Sequence, residues 1–224
     1  MVMLEARPEA ISLDPAKTAL VVVDMQNAFL SPGGLLDRAG IDISAAPRTI
    51  DAAQRVLKAV RGRAMPVIHL QVGYPADLST AGGPTSPNPK KELALCLMER
   101  RPELRGKLLI WGTWDADIVE PLAPLPGEVV IQKSRYSGFA GTPLDQLLRT
   151  RGIQYLLFLG VATNVCVEST IRDAYFQEYW PILIADAAMQ AGPAAMQEAT
   201  LFNVEHFFGW VTTSEALETA LHGR

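Results

Sequence analysis

Apolar positions along the chain fall in short unbroken runs, separated by longer segments with helical spacing. ALVVVD (19–24) has no polar residue until its last, the pattern of a strand buried on both faces of a parallel sheet. PVIHLQV (66–72), EVVIQK (128–133), QYLLFLG (154–160) and PILIAD (181–186) predict four further strands. Between them, DAAQRVLKAVRGRA (51–64) sets Val56, Leu57 and Val60 on one side of a helix. TPLDQLLRTRG (142–152) predicts a helix with Thr142 as N-cap, Pro143 at the first position and Gly152 as C-cap. ESTIRDAYFQEY (168–179) and GPAAMQEATLFNVEHFF (192–208) predict two more. GWVTTSEALETAL (209–221) predicts a short strand and a closing helix. The stretch from Gly73 to Pro89, rich in Gly, Pro, Ser and Thr, predicts a long loop, and loops of that length usually carry function.

This alternation predicts an α/β fold: a three-layer, doubly wound, mostly parallel sheet with helices on both faces. There is no internal repeat, low-complexity tract or linker, so one domain is expected over residues 1–224. Half of the chain is apolar (49%), enough for a sizeable core. A net charge of −4 without a basic run argues against nucleic acid or an anionic membrane surface as partner. The N-terminus lacks a signal-peptide core and no apolar stretch reaches membrane length, so a cytoplasmic location is expected. Two cysteines, Cys96 and Cys166, are too few for a disulfide framework and are expected as reduced thiols.

Open parallel sheets bind ligands beyond the carboxyl ends of their strands. Asp24, Lys133 and Cys166 stand at or just past three such ends. Each has a bland alternative: Asp24 as a turn cap, Lys133 as a lysine reaching solvent, Cys166 as a core thiol. Together they supply a nucleophile, a carboxylate base and a supporting cation. Cys166 is expected in the first turn of a helix beginning near Asn164, where backbone N–H groups and the helix dipole favour the thiolate and could hold an oxyanion. Cys96, within ELALCLMER, reads as structural. His69, His206 and His222 have no metal-ligand spacing, so no metal site is expected. Cys166 and Arg172 have the spacing of a phosphatase loop, but Glu168 lies between them and no glycine relaxes the chain. A non-catalytic small-molecule binder on the same fold is the remaining alternative.

DMQNAF (24–29), KSRYSGF (133–139) and GVATNVCVEST (160–170) resemble the three signature segments of the isochorismatase-like cysteine hydrolases. RYSGF, TPLD, ATNVCVESTIRD and DAAMQAGP are most similar to the ureidoacrylate amidohydrolases of pyrimidine degradation. The resemblance implies a triad of Asp24 (proton acceptor), Lys133 and Cys166 (nucleophile), acting through an S-acyl intermediate on a small ureido or amide substrate. It also implies a cis peptide between Val161 and Ala162, with the N–H groups of Ala162 and Cys166 forming an oxyanion hole. No cofactor is implied, and a homo-oligomer is. Gln26, Phe29, Val72, Tyr74, Tyr136 and Thr163 are the candidate substrate-binding positions. Where the ureidoacrylate enzymes are expected to carry Asn-Gly-Trp, this chain has Val72-Gly73-Tyr74, and the loop beyond also differs. Biuret, triuret and N-carbamoyl amino acids are therefore alternative substrates. Nicotinamide is disfavoured because the corresponding metal motif is missing, and isochorismate because its hydrolysis needs no cysteine.

Overall fold

The structure is a computed structural model that describes residues 1–222. Six strands form one parallel sheet: β3 (Thr18–Val23), β4 (Val67–Val72), β5 (Val129–Lys133), β6 (Tyr155–Val161), β7 (Trp180–Met189) and β8 (Trp210–Thr212). Their spatial order is β5-β4-β3-β6-β7-β8, with β3 and β6 adjacent at the centre. The order reverses there, which makes the carboxyl ends of β3 and β6 the natural place for a crevice.

Alternation along β3 explains its unbroken apolar run. Leu20 and Val22 enter one core cluster, while Ala19, Val21 and Val23 enter the other. On the first face lie α3 (Ala46–Gly62), through Ala53, Val56, Leu57 and Val60, and α9 (Ser214–His222), through Leu217 and Leu221. The opposite face is covered by α6 (Leu144–Thr150) and α7 (Glu168–Phe176), through Leu144, Leu148, Ile171 and Ala174. Both faces are closed by helices, as the sequence pattern requires.

Several elements differ from the sequence expectation. The N-terminus forms an antiparallel hairpin of β1 (Val2–Leu4) and β2 (Ile11–Leu13), too short to show a period. Arg7 exchanges backbone hydrogen bonds with Val211, tying this hairpin to the edge of the main sheet. Helix α3 starts at Ala46, because Pro47 in the first turn removes only an N–H that would lack a partner anyway. Helix α6 starts at Leu144 with Pro143 outside it, although Thr142 Oγ1 still accepts the Leu144 N–H (3.2 Å). Strand β7 runs on to Met189 across a register shift opposite Phe158 and Gly160. The helix expected over 192–208 is α8 (Ala194–Asn203) followed by a wider π turn, Val204–Phe208, which leaves Phe202 and Phe207 exposed.

Short helices shape the rim of the crevice. They are α1 (Asn27–Leu30), α2 (Leu35–Arg38), α4 (Asn88–Lys91) and α5 (Leu93–Arg100). The last two end the long loop after β4. No helix among the described residues is long and apolar enough to cross a membrane.

Candidate active site

Strands β3, β5 and β6 deliver Asp24, Lys133 and Cys166 to one point. Asp24 follows β3 directly and turns out of it with φ +50°. Its N–H donates to Leu70 O (3.0 Å), and its Oδ1 accepts the Val72 N–H (2.9 Å), so β4 fixes the carboxylate from both ends. Lys133 closes β5, and its Nζ donates to Asp24 Oδ2 at 2.7 Å. The other two ammonium protons go to Arg135 O (3.1 Å) and Tyr136 O (3.0 Å). KSRYSGF is therefore a lysine followed by a loop that curls back to complete its hydrogen bonding. All three donors are used, which is what makes a fully buried ammonium tolerable.

Cys166 reaches the pair from the other side. The chain passes Gly160, whose φ of +130° and contact with Val23 leave no room for a side chain: an added Cβ would meet Val23 O at 2.0 Å. The next peptide, Val161–Ala162, is cis. Ala162 O then accepts the N–H groups of Val165 and Val167, winding Thr163–Val167 into a π turn that runs into α7. Cys166 is in that turn, 4% exposed, within the electrostatic reach of both Asp24 and Lys133.

The three proton affinities follow from burial first. Burial raises the Asp24 carboxyl above the ordinary carboxylate range, against the attraction of Lys133. It would lower the Lys133 ammonium, but the charges of Asp24 and Cys166 outweigh it and raise Lys133 instead. Burial also raises the Cys166 thiol, and the Asp24 carboxylate adds to this while Lys133 opposes it. Burial thus works against the thiolate that the helix start was expected to favour. Cys166 sits in a buried π turn, and burial is the largest influence on its thiol. Burial favours the thiol form of Cys166 and makes the Asp24 carboxylate more basic than an ordinary aspartate.

Other motif residues hold the strand-end loops together. Gln26 donates to Val72 O (2.9 Å) and Ala116 O (2.8 Å) and accepts the Val72 N–H (3.0 Å). Both amide protons and the amide oxygen thus have protein partners, and Gln26 does not line the cavity over Cys166. Asn164 makes a reciprocal pair with the backbone of Ala191 (3.1 and 2.9 Å). Thr170 Oγ1 donates to Cys166 O (2.6 Å) and accepts the Gly138 N–H (3.0 Å), joining the cysteine turn to the lysine loop. Arg172 pairs with Glu168 (2.6 Å) and lies 4.2 Å over the Phe208 ring. That position removes it from Cys166 and ends the phosphatase reading.

A small cavity of about 90 Å³ opens over the thiol. Of the candidate substrate positions, Phe29, Val72 and Tyr136 line it together with Ala162 and Cys166. Tyr74 and Thr163 do not. The Tyr74 side chain is fully buried, and its hydroxyl accepts from Asn88 Nδ2 (3.1 Å), bracing the 73–92 loop. Thr163 is also fully buried, and its hydroxyl has no partner among the described residues. His69 is a core group: Nε2 lies 3.0 Å from Glu128 Oε2, away from the cavity. No cluster of three or more metal-ligating side chains occurs among the described residues. Sequence reasoning missed Leu35, Leu36, Leu93 and Leu109, which carry no chemical signal, and Glu92, which does.

Residues 18–216, nearly the whole chain, match the family model described as Isochorismatase domain. The chain belongs to the isochorismatase family. Solved structures extend the match over both chains. A cysteine hydrolase from Pseudomonas syringae is 30% identical, covering 94% of this chain and 94% of its own, with a TM-score of 0.79. An isochorismatase family protein from Desulfovibrio vulgaris is 29% identical over 92% and 99%, TM-score 0.76. An N-carbamoylsarcosine amidase from Thermoplasma acidophilum is 25% identical over 89% and 97%, TM-score 0.66. The α/β fold of this chain matches these neighbours over nearly their whole lengths.

Proposed function

We propose that this protein is a cysteine amidohydrolase that cleaves a C–N bond of a small ureido or carbamoyl compound. The observation that carries it is the buried Asp24–Lys133 ion pair set against Cys166, which itself lines a mostly apolar cavity. A binder has no use for a carboxylate and an ammonium buried beside a thiol, since isolating such charges from water is costly. The cysteine hydrolase and N-carbamoylsarcosine amidase neighbours support the same chemistry.

Asp24 takes the thiol proton as Cys166 Sγ adds to the carbonyl carbon. Lys133 stays an ammonium throughout and offsets the negative charge that moves between carboxylate and sulfur. The carbonyl oxygen, now an oxyanion, is received by the Ala162 and Cys166 N–H groups. Asp24 returns the proton to the leaving nitrogen as the C–N bond breaks, giving ammonia or an amine and an S-acyl enzyme. Water then loses a proton to Asp24 and adds to the acyl carbon. Collapse breaks the C–S bond, and Asp24 hands its proton back to the sulfur.

Ureidoacrylate is the class member named by the resemblance in RYSGF, ATNVCVEST and DAAMQAGP. Those segments build the triad and its bracing, so they speak to the reaction more than to the leaving group. The test is release of ammonia or amine from ureidoacrylate, biuret, triuret, N-carbamoyl amino acids and nicotinamide. Turnover of a ureido compound is expected, and Cys166→Ala should abolish it with the fold intact. Undiminished turnover by that variant would overturn the proposal.

A further inference from the structure

The cavity wall contains one acid outside the triad. Glu92 lies between α4 and α5, only 4% exposed, and lines the cavity with Cys166 and Tyr136. Its carboxylate caps α5 by accepting the N–H groups of Ala94 (3.1 Å) and Leu95 (2.9 Å). Capping alone does not explain it. Ser, Thr, Asp or Asn serve that purpose with a shorter side chain and without a buried charge on the cavity wall. A carboxylate has about four acceptor sites, and two are taken by these N–H groups. Burial raises its carboxyl above the ordinary glutamate value, opposed by the two N–H groups and by the Lys133 charge, and its ionised form bears on Cys166, Tyr74 and Tyr136.

The rest of the wall is apolar: Phe29, Leu35, Val72, Leu93 and Leu109. No lysine or arginine of the described residues lines the cavity, and the Lys133 ammonium has all three donors engaged. A substrate carboxylate would meet a like charge and no cation. A substrate N–H would meet a ready acceptor.

We propose that Glu92 is a specificity-determining residue that accepts an N–H from the end of the substrate remote from the scissile carbonyl and repels a carboxylate there. The substrate class is then a small carbamoyl compound that is neutral or cationic at that end. This inference rests on Cys166 being the nucleophile of a carbamoyl hydrolase. It separates the carboxylate-free members of the class, such as biuret, from the carbamoyl acids, ureidoacrylate among them.

The test uses a matched pair, N-carbamoylglycinamide and N-carbamoylglycine, which differ only in a terminal amide or carboxylate. Wild type should favour the amide in kcat/KM by about tenfold or more, the scale of one like-charge contact in a desolvated site. Glu92→Ser keeps a capping oxygen and should collapse that ratio, and Glu92→Gln, neutral at the same length, serves if the serine variant does not fold. An unchanged ratio in a folded variant would overturn the proposal. A second measurement needs no substrate: alkylation of Cys166 at alkaline pH by neutral iodoacetamide and by anionic iodoacetate, with Cys96 as internal reference. The iodoacetamide preference at Cys166 should exceed that at Cys96 and shrink in Glu92→Ser; equal preferences would sink the assignment. Failure of every ureido compound to turn over would instead count against the amidohydrolase itself, with the alkylation ratio still deciding Glu92.

Discussion

Lys133 Nζ stands 2.7 Å from Asp24 Oδ2 with both side chains closed off from solvent, though 109 residues separate them. Neither charge is tolerable alone, so each residue explains the other. Lys133→Ala leaves Asp24 buried without its cation. It should destabilise the fold by roughly 3–5 kcal/mol, the cost of breaking a buried ion pair from one side. Urea denaturation measures the stability loss, and kcat/KM should fall by about a hundredfold or more in the folded fraction.

The direction of the Asp24 shift fixes the acid side of the pH profile. The base must be ionised to take the thiol proton, and burial holds its pKa above the ordinary carboxylate value. Activity should therefore be lost, as pH falls, at a higher pH than an ordinary aspartate would give. A profile of kcat/KM whose acid limb lies at or below the ordinary aspartate range of about 4 would contradict the assignment of Asp24 as base.

Acid stability points to a different group. Burial alone would raise the Glu128 carboxyl, but hydrogen bonds from Arg61, Leu125 and His69 overcome it and hold the pKa at about 2. A depressed carboxylate contributes stability above its unfolded pKa, and that contribution is lost as pH falls from about 4.5 toward 2. Glu128→Gln should lower the melting temperature at neutral pH and flatten its decline over that window. Melting curves at stepped pH measure both.

Gly160→Ala places a Cβ 2.0 Å from Val23 O on a backbone at φ +130°. The clash is with backbone in the two central strands, so no side chain can move to relieve it. Loss of about 4 kcal/mol or more, or failure to fold, is expected from expression and thermal melting.

Arg172→Ala separates the rejected phosphatase arrangement from the proposed one. The Arg172–Glu168 pair lies on α7 and is partly exposed, so its loss should cost no more than about 1 kcal/mol. Turnover of the ureido substrate should stay within about twofold of wild type, as for a surface change away from the reacting atoms. A collapse of activity with the fold retained would show that the guanidinium acts at the thiol after all.

Legibility in the sequence followed the range of the interactions. Strands β3, β4 and β6 were readable within a residue or two because burial on both faces forces an unbroken apolar run, whatever lies elsewhere in the chain. The β1–β2 hairpin was not, since three-residue strands have no measurable period and are held by a contact with β8 made some 200 residues later. Gln26 and Tyr74 were candidate pocket positions through the family resemblance. Their partners, Val72 at the end of β4, Ala116 and Asn88 at the start of α4, come from segments whose approach no local pattern announces.

Glu92 marks the same boundary. In KKELALCLMER it reads as one more surface charge at a helix start, and only the folding of the 73–92 loop over β4 turns it toward Cys166. The sequence by itself determined the layered sheet and the strand ends, and set Asp24, Lys133 and Cys166 at or just past those ends, because periodicity and residue chemistry are local properties. Tertiary structure decided that burial opposes the thiolate, that Arg172 pairs with Glu168 and that an acid shares the cavity. Those outcomes depend on desolvation and on charges brought together from distant segments, and neither is a property of any one stretch of chain.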